Sequence, residues 1–239
     1  MEIEGKRVLV TGASRGLGRA LVAAFVDAGA SEVIAGARKR EDQEALKSER
    51  VTPVQLDVTS EEDVEALARV GPIDILVNNA GVAGFGNPLT MDFAAAQEEI
   101  AVNYLGVLRV TRAIAPRMIA KRDGLIVNVA TAFAKVNLPI VGTYCATKAA
   151  LLSLGQALRA YLSEHNVRVI TVLPTTIDTD MSKGADVPKM TKEFAAAEIL
   201  AVIREERHDP PIGEQAAGML ESLSNDPVAL ERSLQAYRM

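Results

Sequence analysis

The 239-residue chain carries 49% hydrophobic residues and a formal net charge of −5. That length suits one large α/β domain with a sizeable core, and the acidic balance speaks against nucleic acid or an anionic membrane surface as partner. A single cysteine, Cys145, excludes an internal disulfide framework and suits a reducing compartment.

Residues 1–6 lack the basic-then-apolar pattern of a signal peptide, and no apolar run nears the roughly 20 residues of a spanning helix, so a cytoplasmic protein is expected. Strands are predicted at residues 7–11, 32–36, 53–56, 74–77, 125–130 and 167–172. Helices are predicted to begin near Leu17, Glu41, Ser60, Asp92 and Gly142. Most of the strand runs are almost continuously apolar, as strands buried on both faces should be. The alternation predicts a single α/β domain over residues 1–239, a doubly wound parallel sheet with helices on both faces. Right-handed crossovers leave few topologies open to it. Residues 175–191, with Gly184 and Pro188, are expected to form a mobile loop over a site. Pro210-Pro211-Ile212-Gly213 allows a short edge strand. Helical pieces are predicted to follow at 214–223 and 227–237.

The first predicted strand runs into Thr11-Gly12-Ala13-Ser14-Arg15-Gly16-Leu17-Gly18. Glycines at this spacing permit a tight turn and close approach of backbone to a pyrophosphate, and the helix that follows adds amide donors and positive partial charge. After the second strand Ala37 is followed by Arg38, Lys39 and Arg40. A carboxylate at that place would bond a ribose 2′-hydroxyl, whereas a cation would receive a 2′-phosphate. Arg15 and Arg38 suit the phosphate because the guanidinium fork binds bidentately, while Lys39 and Arg40 read as a solvated charge run. Asn78-Asn79-Ala80-Gly81 ends the fourth strand, where ligands bind in open α/β sheets. Tyr144 and Lys148 are four residues apart on a helical pattern and share a face.

These motifs, with Asp57-Val58, Asn103, Tyr144-Cys145-Ala146-Thr147-Lys148 and Pro174-x-x-x-x-Thr179, resemble in order the classical short-chain dehydrogenase/reductase family over roughly residues 5–205. The resemblance implies a Rossmann-type sheet and NADP(H) as cofactor. It implies cofactor contacts from Gly12, Ser14, Arg15, Gly16, Leu17, Gly18, Arg38, Asp57, Val58, Asn79, Ala80, Gly81, Pro174, Ile177 and Thr179, together with Tyr144 and Lys148. Asp57 would contact the adenine and Asn79 would brace the sheet beside the cofactor. Asp57 also fits an acid at a helix N-terminus, ahead of Thr59/Ser60 and Glu62/Asp63.

By the same resemblance Tyr144 protonates a carbonyl oxygen as hydride arrives at carbon, and takes a proton from the alcohol in reverse. A free phenol has a pKa near 10. The Lys148 ammonium and the positive nicotinamide are expected to lower it. Lys148 would also bind the nicotinamide ribose, and Asn103 would interrupt helical bonding and hold a relay water. Thr131 stands where the family has a serine, thirteen residues before the tyrosine, with Ala130 where a second serine is common. Thr175 replaces the usual glycine after Pro174.

Phe85, Phe133, Leu138, Ile140, Met181 and Met190 are candidates for the substrate side, pointing to a small apolar ketone or aldehyde, although each also fits an ordinary core. Cys145, His165 and His208 receive no role, and no metal site is expected. A homodimer through the helices carrying Asn103 and Tyr144 is expected. The family's Asp-Gly-Gly last strand is absent, which removes the basis for a tetramer on that edge. Two other readings stay open: an NADP-binding sensor or structural protein that has lost catalysis, and a lyase or epimerase that uses bound nicotinamide within its cycle.

Overall fold

Successive strand residues point to opposite faces of a sheet, and the apolar runs of this chain use both. Val8 and Val10 of β1 (Arg7–Thr11) join one buried cluster and Leu9 the other. The computed structural model describes residues 1–237. After β1 come α1 (Gly16–Asp27), β2 (Glu32–Ala37), α2 (Arg40–Leu46), β3 (Val51–Gln55), α3 (Glu61–Ala66) and β4 (Ile75–Asn78). Then follow α4 (Phe93–Ile100), a π-helical turn Ala101–Gly106, α5 (Val107–Lys121), β5 (Gly124–Val129), α6 (Gly142–Ser163) and β6 (Val167–Pro174). The chain continues through α7 (Lys192–Glu205), β7 (Pro211–Ile212), α8 (Glu214–Asn225) and α9 (Pro227–Leu234).

The sheet is parallel throughout, in the order β3-β2-β1-β4-β5-β6-β7. Leu17, Leu21 and Phe25 of α1 and Ile199 and Ile203 of α7 cover one face, with Leu46 of α2. Val64 of α3, Val110, Ile114 and Met118 of α5 and Leu162 of α6 cover the other. Strand order reverses between β1 and β4, which opens a crevice at their C-terminal ends. Among the described residues no helix is long and apolar enough to cross a membrane.

Several boundaries move from their predicted places, each for a local reason. The third strand starts at Val51 and not at 53, with Pro53 inside it, which an edge strand tolerates because one side of its ladder is unpaired. The sixth runs on to Pro174 because Leu173 and Pro174 pair with Pro211 and Ile212. The helix expected to begin near Asp92 does so, with the Asp92 side chain accepting from the Ala94 amide at 3.0 Å. It then changes hydrogen-bonding pattern at Ala101 before continuing as α5. Pro116 sits inside α5 on its exposed side, where water can meet the carbonyl that loses its helical partner. Helix α7, absent from the predicted starts, begins at the Thr191 cap, whose side chain accepts from Phe194 N at 3.1 Å. The last predicted helix divides into α9 and a 3₁₀ turn, Gln235–Tyr237.

Candidate active site

The glycine loop leaves β1 and enters α1 with Arg15 as N-cap, no side-chain cap bond and no acid in the first turn. The first amides of α1 therefore stay open to a ligand, at the positive end of the helix dipole. Gly12 adopts φ +65°, and a Cβ there would lie 2.8 Å from Ala80 Cα. Asn79 braces this approach: its Nδ2 donates to Thr11 O at 2.9 Å and to Gly12 O at 3.2 Å. The Asn79 and Ala80 amides both donate to Thr11 Oγ1 at 3.0 Å. A Cβ on Gly18 would stand 2.1 Å from Gly12 O and 2.6 Å from Asn79 Nδ2. Gly18→Ala is thus expected to push β1 and α1 apart at the cradle. It should cost about 1–3 kcal/mol of stability, as overpacking does, and weaken dinucleotide binding. Thermal melts with and without NADPH check both effects.

Arg38 is exposed after β2, and its guanidinium forms no ion pair among the described residues. Arg15 meets Asp180 at 3.3 Å, with both side chains largely exposed. The cap of α3 is Ser60, which accepts from Asp63 N at 3.2 Å, so Asp57 is not the capping residue. One Asp57 oxygen accepts from Thr59 N at 2.9 Å and Thr59 Oγ1 at 2.7 Å. Val58 is buried against Gly106. Gly16 faces Thr179, whose methyl would lie 3.2 Å from a Cβ there.

The π-helical turn brings together the residues expected at a reacting centre. Asn103 is fully buried within it. Its Oδ1 accepts from Val82 N at 2.9 Å, and its Nδ2 donates to Val82 O at 2.9 Å and to Thr147 Oγ1 at 3.0 Å. Such turns recur at functional sites because they re-aim side chains without ending the helix. Thr147 donates to Tyr144 O at 2.7 Å, which links Asn103 to the helical turn of the tyrosine. Lys148 is buried, and its Nζ donates to Val129 O at 2.8 Å while lying 5.6 Å from the Tyr144 ring centroid. A Cβ on Gly81 would be 3.3 Å from Asn103 Oδ1 and 3.5 Å from Lys148 Nζ, so these three residues converge.

Burial pulls the Lys148 ammonium down to about 8. The Tyr144 phenol moves the other way from the expected direction. Burial first, then the Cys145 and Glu99 side chains, raise it well above its ordinary value. Thr131 is buried, and its hydroxyl is engaged: Oγ1 donates to Pro174 O at 2.9 Å and accepts from Phe133 N at 3.3 Å. The hydroxyl at the family's serine position must leave the Pro174 carbonyl before it can serve a substrate oxygen.

Of the predicted substrate-side residues, Phe85 and Met181 are exposed, at 49% and 41%. Phe133, Leu138 and Ile140 are partly buried, and Ile140 O accepts from Gly86 N at 2.9 Å, which ties their turn to the loop after β4. Met190 is partly buried and packs against the cluster that holds α7. The loop 175–191 is fastened at its base, where Asp178 N donates to Met190 O at 2.9 Å and Met190 N to Thr176 O at 3.0 Å. Thr179 begins a 3₁₀ turn, Asp180–Ser182, with a reciprocal capping box. The expectation of mobility along the whole loop therefore narrows to its tip. Sequence reasoning assigned no role to Thr11, Thr147, Glu99 or Gln215. The last accepts from Thr175 Oγ1 at 3.0 Å and ties the residue after Pro174 to α8. No group of side chains able to hold a metal occurs among the described residues.

Residues 6–189 match the family model described as short chain dehydrogenase, and the chain belongs to that family of oxidoreductases. It is 40% identical to L-xylulose reductase of Mus musculus over 76% of this chain and 75% of the relative. It is 38% identical to D-erythrulose reductase of Gallus gallus over 77% and 76% respectively. A short chain dehydrogenase from Burkholderia cenocepacia J2315, solved in complex with NADP, superposes with a TM-score of 0.93 at 38% identity, covering 98% of this chain and 99% of that one.

Proposed function

We propose that this chain is an NADPH-dependent carbonyl reductase, converting a small apolar ketone or aldehyde into an alcohol by a reversible reaction. The observation that carries the reading is the convergence of Tyr144, Lys148, Asn103 and Gly81 at the crevice where the glycine cradle opens. The uncapped start of α1 and the close approach at Gly12 fit a dinucleotide pyrophosphate. The NADP complex of the Burkholderia relative supports the cofactor, and the reductase names of the mouse and chicken relatives support carbonyl reduction, while the apolar substrate rests on Phe133, Leu138 and Ile140. When bound, the dinucleotide supplies the hydride.

The chain's own residues do the rest. Tyr144 holds the proton that the carbonyl oxygen receives, and its raised phenol keeps that proton in place at neutral pH. Lys148 reaches the nicotinamide ribose hydroxyls, and Asn103 fixes the turn on which the tyrosine sits. Thr131 turns its hydroxyl from Pro174 O to the substrate oxygen. Asp57, Val58, Asn79, Ala80, Pro174, Ile177 and Thr179 line the dinucleotide path along the strand ends. Arg15 and Arg38 receive the 2′-phosphate. The exposed Phe93, Ile100 and Leu105 on the segment around Asn103 support a homodimer through that face.

Oxidation of NADPH against a panel of apolar ketones, aldehydes and quinones, with L-xylulose and D-erythrulose added, tests the reading. Turnover of an apolar carbonyl is expected. Turnover of the sugars alone overturns the apolar assignment, and turnover of nothing in the panel favours a cofactor-binding sensor. Arg38→Asp should raise the KM for NADPH roughly ten- to a hundredfold, since a charge-assisted pair is worth about 1.5–3 kcal/mol. The KM for NADH should change far less. Equal use of both cofactors by the native protein would overturn the 2′-phosphate assignment.

A further inference from the structure

The loop 175–191 leaves β6 at Pro174, whose carbonyl holds Thr131, and returns to α7. Both of its ends meet the first turn of α8. The β6–β7 ladder ends at Pro174 and Ile212. The backbone closure of the loop starts at Thr176, whose carbonyl accepts from Met190 N at 3.0 Å. Thr175 lies between ladder and closure and is tied through its side chain, with Oγ1 donating to Gln215 Oε1 at 3.0 Å. Thr175 is buried, and a buried hydroxyl that loses its partner is destabilising. The glycine that the family usually has at this place could make no such bond.

At the far end Met190 lies against Gly213, two residues before Gln215. Gly213 is the N-cap of α8 with φ +79°, and a Cβ there would stand 3.3 Å from Met190 Cε and 3.5 Å from Phe194 Cε1. The turn that receives both ends is anchored in the core. Ile212 and Ala216 are fully buried, and Ala217 N donates to Gly213 O at 3.2 Å. Gln215 thus holds the loop from a fixed backbone. The loop in turn reaches the glycine cradle. A Cβ on Gly16 would lie 3.2 Å from the Thr179 methyl, and Arg15 meets Asp180 at 3.3 Å. The segment from Thr175 to Asp180 therefore runs from α8 to the start of α1.

We propose that Gln215 is a positioning residue that holds Thr175 against α8, keeps the loop 175–191 closed from its start, and thereby slows the release of bound NADPH. The proposal rests on the dinucleotide path given above to Pro174, Ile177 and Thr179. The loop must leave the cradle before a dinucleotide beneath it can. Opening from the start of the loop breaks the Thr175–Gln215 bond, then the closure made by Asp178 N on Met190 O and Met190 N on Thr176 O. The side-chain bond exists in the closed state and not in the open one, so it shifts that equilibrium by its net worth. For one neutral hydrogen bond that is roughly three- to tenfold. Release of a ligand from under a loop is often limited by such opening.

The test compares Gln215→Ala with Gln215→Glu in the full-length protein, since glutamate keeps an oxygen that accepts from Thr175 and alanine does not. Gln215→Ala should speed NADPH dissociation by roughly three- to tenfold, followed by nicotinamide fluorescence in a stopped-flow displacement. Gln215→Glu should stay close to native. In the cofactor-free protein, hydrogen exchange at the Asp178 and Met190 amides should quicken in alanine and not in glutamate. Thr175→Val deletes the donor from the other side, should match Gln215→Ala, and should add nothing to it in the double variant. Unchanged exchange in Gln215→Ala overturns the proposal, whatever the cofactor does. Faster exchange with unchanged NADPH dissociation overturns it equally, because the loop then opens without releasing the dinucleotide. A glutamate variant as fast as alanine overturns it too, because the acceptor is then not what holds the loop. A native protein that binds NADPH and reduces nothing in the carbonyl panel overturns the reductase reading and leaves these comparisons standing.

Discussion

Tyr144→Phe is expected to reduce kcat/KM for carbonyl reduction by roughly 10²–10⁴-fold, the usual worth of a positioned proton donor, while leaving NADPH affinity nearly unchanged. The ring supplies packing on α6, and the hydroxyl supplies only the proton, so the two functions separate in this variant. Lys148 stays buried under the ring with its bond to Val129 O, and nothing else in the site has to move. Fluorescence titration with NADPH and steady-state kinetics on one accepted ketone give the two numbers. Retention of more than about a tenth of native turnover would be incompatible with general-acid catalysis of that magnitude by Tyr144.

The second large effect is at Thr131. If its hydroxyl leaves Pro174 O to meet the substrate oxygen, Thr131→Val should lower kcat by roughly a hundredfold or more, since losing one donor to a developing oxyanion costs about 2.7–4 kcal/mol. Thr131→Ser keeps the donor and should stay within a few fold. The rival reading follows from the geometry itself: the hydroxyl already donates to Pro174 O at 2.9 Å and caps the turn at Ala132 by accepting from Phe133 N. On that reading valine leaves a buried carbonyl unpaired and lowers stability by about 1–3 kcal/mol, with kcat unchanged. Measuring melting temperature and kcat on both variants separates the two, and a valine enzyme with near-native kcat removes Thr131 from the catalytic set.

Much of the fold was legible because its signals are local. Apolar runs such as Val8-Leu9-Val10 state a strand buried on both faces wherever they are placed, and the sheet places them so. The C-terminal edge strand was readable from Pro210 to Gly213 because proline tolerates only an edge. The resemblance implies interrupted helical bonding at Asn103, but the contacts that hold the π-helical turn Ala101–Gly106 were not legible. Its stability comes from Asn103 bonding Val82 and Thr147, which lie far from it along the chain. Composition alone marks 175–191 as a loop, and the backbone bonds between Asp178, Met190 and Thr176 that close its base were not legible.

The sequence by itself determined where the chain turns tightly and which side chains share a face. Gly12 and Gly18 mark the cradle, and Tyr144 and Lys148 lie one helical turn apart, because both properties depend on a few neighbouring residues. Only the tertiary structure decided what those groups feel. The resemblance implies a Tyr144 phenol lowered by Lys148 on its own helix together with the positive nicotinamide. It is raised first because burial withdraws water from it, and then by the Cys145 and Glu99 side chains. Thr131 reads as a free donor in sequence, yet the end of β6 brings Pro174 O within its reach. Desolvation and hydrogen-bond choice are set by what packs from elsewhere in the chain, and spacing along the chain carries no record of that.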